Sequence, residues 1–354
     1  MFFPRRSAPA KRRPRSASRG GSNVFSVATW AAPARSIGET RTGASSERLN
    51  ASTSGNSGKH SSVDPLSVAV ERGGVVESRH RVHAVKVRDG EVVEARGDPG
   101  LVTFVRSAAK PLQALLLARE YDDLTDEEVA IACASHEART EQLDAVKLLL
   151  ARAWATEDDL ECGPVDGSRL RHACSGKHAG MLAVCAARGW PREGYRRQDH
   201  PLQQTIVQEV AGATGTPADR IPLAVDGCGV VNFALALERI AAAFGGLARG
   251  QPEGAPRIVA AMTANPELVE GPGWPATELM VALPGAVAKH GADGVVCVGF
   301  TDGVGVALKV EDGAYRAILP AAAHFVGLSA LEERPLKNSR GDVVGRLRVE
   351  GDEA

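Results

Sequence analysis

Apolar and polar positions follow one another along this chain in a readable order. Residues 81–88 and 91–96 are β-branched runs on either side of Asp89-Gly90, the pattern of a two-residue hairpin. Residues 102–105 form a short strand-like run that leads directly into Ser107. From 110 to 120 the period is helical, with Pro111 accommodated in the first turn. Residues 141–154 carry Leu143, Val146, Leu149 and Leu150 as one stripe, which predicts an amphipathic helix. Segments 175–188, 202–213 and 231–244 are predicted as further helices. The period then changes: 294–300, 304–310 and 315–319 read as strands separated by Thr-Asp-Gly and Glu-Asp-Gly turns, with a final helix at about 321–331. A hairpin at one end, a meander at the other and helices between predict an α+β fold. One antiparallel sheet takes strands from both ends and is flanked by helices.

Composition sharpens this reading. The chain has 354 residues, of which 44% are hydrophobic, enough for a sizeable core in one large domain or two small ones. Its net charge of −1 hides an asymmetry: residues 1–62 hold eleven Lys/Arg against only Glu39 and Glu47, so the remainder is acidic. That first segment is rich in Ser, Ala, Arg, Gly and Pro and lacks an apolar period; it reads as a basic disordered tail. Three roles compete for it: an unremarkable extension, a transit peptide in keeping with its Arg/Ser-rich start, or a nucleic-acid-binding arm at Lys11-Arg12-Arg13. Residues 63–354 form the folded part, whose acidic balance speaks against nucleic acid as a partner. No apolar run reaches the length of a membrane span, and no signal-peptide core is present. Six sparse, irregularly spaced cysteines predict reduced thiols in a cytoplasmic setting, or an organellar one if the tail is a transit peptide.

Candidate chemistry sits in a few stretches. In Arg106-Ser107-Ala108-Ala109-Lys110, Ser107 and Lys110 stand three apart at the predicted strand-to-helix step and share a helix face. A neutral lysine there can take the serine proton, provided burial or positive charge such as Arg106 lowers its reference pKa of about 10.4. Cys133-Ala134-Ser135-His136 follows an apolar run. On its residues alone Ser135 reads first as the cap of the next helix, with His136 an alternative base for Ser107. Cys174-Ser175-Gly176-Lys177 opens a helix with Cys174 and Lys177 on one face, and Asp226-Gly227-Cys228 is a turn bearing a carboxylate and a thiol. Spacing alone makes neither a metal site, because no Cys-x-x-Cys or His-Glu-x-x-His exists; buried inert cysteines are the default. Lys289, just before a Gly-Ala-Asp-Gly turn, reads by itself as a solvated lysine. No glycine pair has the strand–helix context that holds a nucleotide phosphate, and no organic cofactor is expected.

Taken in order, five motifs resemble the asparaginase II family, the rhizobial-type L-asparaginases unrelated to the bacterial threonine-nucleophile enzymes. They are Arg-Ser-Ala-Ala-Lys-Pro-x-Gln-Ala from 106, Cys-Ala-Ser-His from 133, Cys-Ser-Gly-Lys-His-x-Gly-Met-Leu from 174, Asp-Gly-Cys from 226 and Lys-x-Gly-Ala-Asp from 289. The likeness runs from about residue 67 to 312. It implies a fold like that of serine β-lactamases and penicillin-binding proteins, hydrolysis of L-asparagine to L-aspartate and ammonia, and a homodimer. It also implies two Ser–Lys pairs, Ser107 with Lys110 and Ser135 with Lys289, and leaves open which serine attacks. Arg106, His136 and Asp226 would bind substrate. Cys174, Lys177 and Cys228 would hold a zinc ion that orients substrate.

The chain departs from the family pattern in three places. Glu137-Ala138-Arg139 stands where small residues and then Glu are usual. Gly271-Pro272-Gly273-Trp274-Pro275 replaces a Gly-x-Gly-Arg type segment, so an arginine is missing. The link from Cys162 to Cys174 is shorter by roughly a dozen residues, as loops allow. These changes bear on substrate and metal more than on fold. The main alternative is a related Ser–Lys amidase acting on another small amide, which the missing arginine favours. A non-catalytic binding member of the family is the other; it is the reading if replacing both serines changes nothing measurable.

Overall fold

The computed structural model describes residues 64–351, so the basic segment 1–62 lies outside the described residues. In chain order the strands are β1 (Leu66–Arg72), β2 (Val75–Arg88), β3 (Glu91–Arg96), β4 (Val102–Phe104), β5 (Leu223–Val225), β6 (Val231–Ala236), β7 (Val287–Gly291), β8 (Val295–Gly299), β9 (Gly305–Val310), β10 (Glu333–Lys337) and β11 (Val343–Val349). The helices are α1 (Lys110–Gln113), α2 (Leu115–Glu120), α3 (Asp126–Ala132), α4 (Thr140–Arg152), α5 (Ser175–Arg188), α6 (Pro201–Thr214), α7 (Leu237–Ala248), α8 (Ala255–Ala264), α9 (Pro266–Val269), α10 (Pro275–Ala282) and α11 (Ile318–Val326).

Asp89 and Gly90 both take positive φ, 50° and 84°, so the predicted hairpin forms with a turn whose twist suits its strands. β2 is long enough to serve three neighbours. Its first half pairs with β1, and its second half lies between β3 and β9. The main sheet runs β10-β11-β1-β2-β9-β8-β7 with β3 also on β2, every pair antiparallel. Strands from both ends of the chain thus share one sheet, as the hairpin–helices–meander order requires. β7 and β8 are buried at every residue, because helices cover both faces of the sheet here. α7 packs on β2, β8 and β9, and α11 packs on β1, β9 and β11. α7 comes so close that a Cβ on Gly305 would strike the Ala241 carbonyl. Each fully buried valine of this layer, Val296 or Val306 for example, contributes about 1.5–3 kcal/mol over leaving it in water.

Several predicted elements change. The segment 231–244 is not one helix: its first part is β6, the centre of a small sheet ordered β4-β6-β5, and only then does α7 begin. β6 is buried on both faces, so it carries no period-2 alternation to betray a strand. The segment 315–319 is not a strand but a 3₁₀ turn, Tyr315–Ala317, that runs into α11, and α11 stops early because Gly327 takes φ 78°. β1, β7 and the hairpin of β10 and β11 were not expected at all. No helix among the described residues is long and apolar enough to cross a membrane. All six cysteines are free thiols and all are buried.

Candidate active site

The site begins where β4 ends. Val105 donates its amide to Phe233 of β6 at 2.9 Å, and the chain then turns sharply, with Arg106 held at φ 53°. That conformation costs a non-glycine residue on the order of 1–3 kcal/mol, and such strain gathers at functional sites. Asn232 secures the turn: its Oδ1 accepts from the Arg106 amide at 3.0 Å. Ser107 follows, partly exposed, on a 3₁₀ turn that runs into α1 and the fully buried Lys110. From the other side, Gly291 at the end of β7 lies so close to this turn that a Cβ there would meet the Val105 carbonyl oxygen at 2.6 Å.

Ser135 stands on the loop after α3 and caps no helix. The next helix, α4, starts behind Arg139. The loop is pinned from two sides, Ser135 N donating to Val269 O at 2.8 Å and His136 N to Ala173 O at 3.2 Å. Ala138, three residues on, is strained at φ 60°. α5 is brought against α3 by Gly176, where a Cβ would strike the Ile131 carbonyl. That close approach sets the start of α5 beside the Ser135 loop.

The pairing of serines and lysines differs from the expected one. Lys110 Nζ donates to Ser135 Oγ at 3.0 Å, to Ala134 O and to Ala173 O at 3.5 Å; none of these bonds goes to Ser107. Lys289, also fully buried, donates to Glu270 Oε1 at 2.5 Å and to the His290 carbonyl at 2.9 Å, and to neither serine. Burial pushes Lys289 below the ordinary lysine range; the Glu270 charge opposes this and the Lys110 charge adds to it. Burial drives Glu270 up, but His290 and Lys289 beside it hold its pKa at about 2. Burial also lowers His290; the Glu270 charge opposes this and the Lys289 charge adds to it.

Both ring nitrogens of His136 are engaged within the protein. Its Nδ1 accepts from the Ala138 amide at 3.1 Å, which leaves Nε2 as the protonated nitrogen, donating to Ser175 Oγ at 2.8 Å. Ser175 passes its own proton to Leu170 O at 2.8 Å. Burial, with the Lys110 charge, pushes His136 down to about 3. A neutral ring with both nitrogens in use is neither a base for Ser107 nor a free substrate donor, and the expected roles are corrected on that ground: His136 braces the Ser135 loop.

Arg106 and Asp226 do meet. Arg106 Nε lies 2.8 Å from Asp226 Oδ1, an ion pair without hydrogen-bond alignment, and Nη1 lies 2.5 Å from Asp293 Oδ2. Asp226 also adds to the field on Lys177, whose Nζ donates to Cys228 Sγ at 3.1 Å. Cys174 and Cys228 shift each other's acidity in opposite directions, Cys174 down and Cys228 up. Cys174 is held well below the ordinary thiol range, first by Cys228 beside it and then by Lys110, His172 and Lys177 nearby. Burial works to lower Lys177, but Cys228, Cys174 and Asp226 outweigh it and hold it above the usual lysine value. Two sulfurs and one amine lie together, and the amine, held above the usual lysine value, would have to give up its proton before it could bind a metal beside the sulfurs. No group of three His, Cys, Asp or Glu side chains placed for a metal exists among the described residues.

Sequence reasoning missed Glu270, His290, Trp274 and Tyr315. Trp274 stacks on His290, with ring centroids 5.6 Å apart and 9° between planes, and Tyr315 meets both rings edge-on. Trp274 Nε1 donates to Glu137 Oε1 at 2.5 Å. Two of the segments that depart from the family pattern are therefore bonded to each other, beside Ser135. That shared departure was the one available signal.

The chain is a hydrolase by family. It belongs to the L-asparaginase II family, whose model matches residues 68–349 and so extends past the last recognised motif to β11. Among curated proteins none matches. Similar solved structures include EstCE1, a hydrolase with promiscuous acyltransferase activity, at 13% identity over 67% of this chain and 91% of that one, with a TM-score of 0.37. Another is Mglu, at 16% identity over 73% of this chain and 69% of that one, with a TM-score of 0.32. At such TM-scores these likenesses carry no argument about fold or chemistry.

Proposed function

We propose that this protein hydrolyses the side-chain amide of L-asparagine to L-aspartate and ammonia through an acyl-enzyme on Ser135. The observation that supports it is the 3.0 Å contact between Lys110 Nζ and Ser135 Oγ, a nucleophile and base within hydrogen-bond reach. Ser135 Oγ bonds to the amide carbon and gives its proton to Lys110, which must enter the step as the free amine, one proton short of the ammonium that donates to Ser135 Oγ, Ala134 O and Ala173 O. The C–N bond breaks as the leaving nitrogen takes a proton from the Lys289 ammonium, releasing ammonia. Water then attacks the ester and gives its proton to Lys289. The ester C–O bond breaks, and Lys110 returns its proton to Ser135.

The amides of Ser135 and His136 are committed to carbonyls, so they are not free to hold the oxyanion. In this reading the Ser107 hydroxyl supplies that donor, and Arg106, fixed by Asp226, binds the substrate carboxylate. A second reading has Ser107 attack. It is favoured by the strain at Arg106, which sets Ser107 on a sharp strand-to-helix turn.

Cys174, Lys177 and Cys228 would hold zinc, a Lewis acid that orients and polarises a bound polar group. Purified protein is expected to carry about one zinc per chain, as two thiolates and an amine imply, and Cys228→Ser to lose it. Metal analysis that finds none in the unaltered protein rejects the site.

The substrate test is ammonia release from asparagine, glutamine and simple amides. Asparagine is expected to give the highest kcat/KM. Good activity on another amide with none on asparagine overturns the substrate and leaves the Ser–Lys reaction standing.

A further inference from the structure

We propose that Glu270 is a positioning residue: its carboxylate keeps Lys289 protonated and aimed, so that Lys289 serves as the acid for the leaving nitrogen while Lys110 serves as the base for Ser135. This rests on the amide-hydrolysis reading above and assigns the two lysines opposite duties within it.

The geometry is that of a brace. Val269 accepts the Ser135 amide at 2.8 Å, and the next residue, Glu270, holds Lys289 Nζ at 2.5 Å. One short segment therefore fixes both the attacking serine and the second lysine. The carboxylate is itself immobilised. Oε2 accepts from the Ala276 amide at 3.1 Å, in the first turn of α10, and Oε1 accepts from the His290 amide at 3.3 Å. Glu270 and Lys289 are both wholly buried. Two of the three Lys289 protons are spent on Glu270 and the His290 carbonyl, which leaves one to give.

The opposite duties follow from the partners. Lys110 touches a hydroxyl and carbonyls and no carboxylate. Lys289 touches a carboxylate, which favours its charged form. The other groups that face Lys289 are His290 on its own strand, Lys110 from α1, Cys297 opposite it on β8, Cys133 at the end of α3 and Cys174 at the start of α5. The His290 ring touches Glu270, and Tyr315 faces both Glu270 and Glu137. Glu270 and Glu137 are the carboxylates in this set, and only Glu270 touches Lys289.

An acid must be protonated to work, so activity falls as pH rises through its pKa. Glu270 raises that pKa; removing its charge lowers it. Glu270→Gln removes the charge and keeps the shape, with one acceptor oxygen left for either the Ala276 or the His290 amide. It is expected to move the alkaline limb of the pH–kcat profile down by about 1–3 pH units, the size of one lost opposite charge, with the acid limb in place. Glu270→Asp keeps the charge at shorter reach and is expected to hold the limb near that of the unaltered enzyme, with a lower kcat. Thermal unfolding identifies a variant that fails to fold, and the Asp variant then decides alone: a limb that falls by a full unit despite the retained charge overturns the proposal. A Gln variant that loses activity evenly at every pH, with its limb unmoved, also overturns it, because a merely structural ion pair behaves that way. If the unaltered enzyme releases ammonia from no amide, the hydrolysis reading fails; if it is active and the limb stays, only the role of Glu270 fails.

Discussion

Ser135→Ala is expected to lower kcat for amide hydrolysis by on the order of 10⁴- to 10⁶-fold, the loss seen when a covalent nucleophile is removed, with little change in KM. The hydroxyl is partly exposed and its one hydrogen bond in the structure is received from Lys110, so its removal leaves the loop held by the Val269 and Ala173 carbonyls. Stability should therefore hardly move, since a partly exposed hydroxyl contributes about 1 kcal/mol at most. Ser107→Ala is the control. If Ser107 only donates to the oxyanion, its loss costs about 10²–10³-fold in kcat, as for one such donor. Equal collapse in both variants would leave the attacking serine undecided by kinetics, and a collapse in Ser107→Ala alone would transfer the role to Ser107.

Lys110→Met is expected to cost about 10²–10⁴-fold in kcat, the contribution of a positioned base. It differs from Ser135→Ala in one readable way. Met leaves the Ala134 carbonyl without a buried donor, at about 1–3 kcal/mol, while Ala173 O keeps the His136 amide, so Tm falls too. Lys110→Arg separates the two effects. It keeps donors and charge, but a guanidinium does not give up its proton near neutral pH. A stable Arg variant with activity still lost identifies proton transfer as the role, whereas an active one removes Lys110 from the chemistry. The double variant Ser135→Ala/Lys110→Met should be no slower than Ser135→Ala, because the two groups act in the same step.

Where local rules decide, the sequence is legible. Asp89-Gly90 supplies the two positive φ values a tight hairpin needs, and α5 keeps the bounds its apolar period predicts. Where tertiary pairing decides, it is not. The residues 231–236 have a composition that suits a helix or a buried strand, and only pairing with β4 and β5 makes them β6. The site follows the same division. The order of the motifs names Ser107, Lys110, Ser135 and Lys289, but not who meets whom. Lys110 reaches Ser135 across 25 positions of chain because α3 and α5 meet through Gly176, and linear spacing does not encode that contact. Ser107, three residues from Lys110, accepts the Lys110 backbone amide but not its side-chain amine. Glu270 carries no motif, and its role follows only from being buried against Lys289.

The most direct test of the Ser135 assignment is to quench the enzyme during turnover of asparagine, digest it and locate the aspartyl ester by mass spectrometry. The adduct is expected on the peptide containing Ser135, and it should be absent in Ser135→Ala. An adduct on the Ser107 peptide, or an unmodified Ser135 peptide in an enzyme that is visibly turning over and trapped at the acyl stage, would contradict the pairing of Lys110 with Ser135 as the acylating couple.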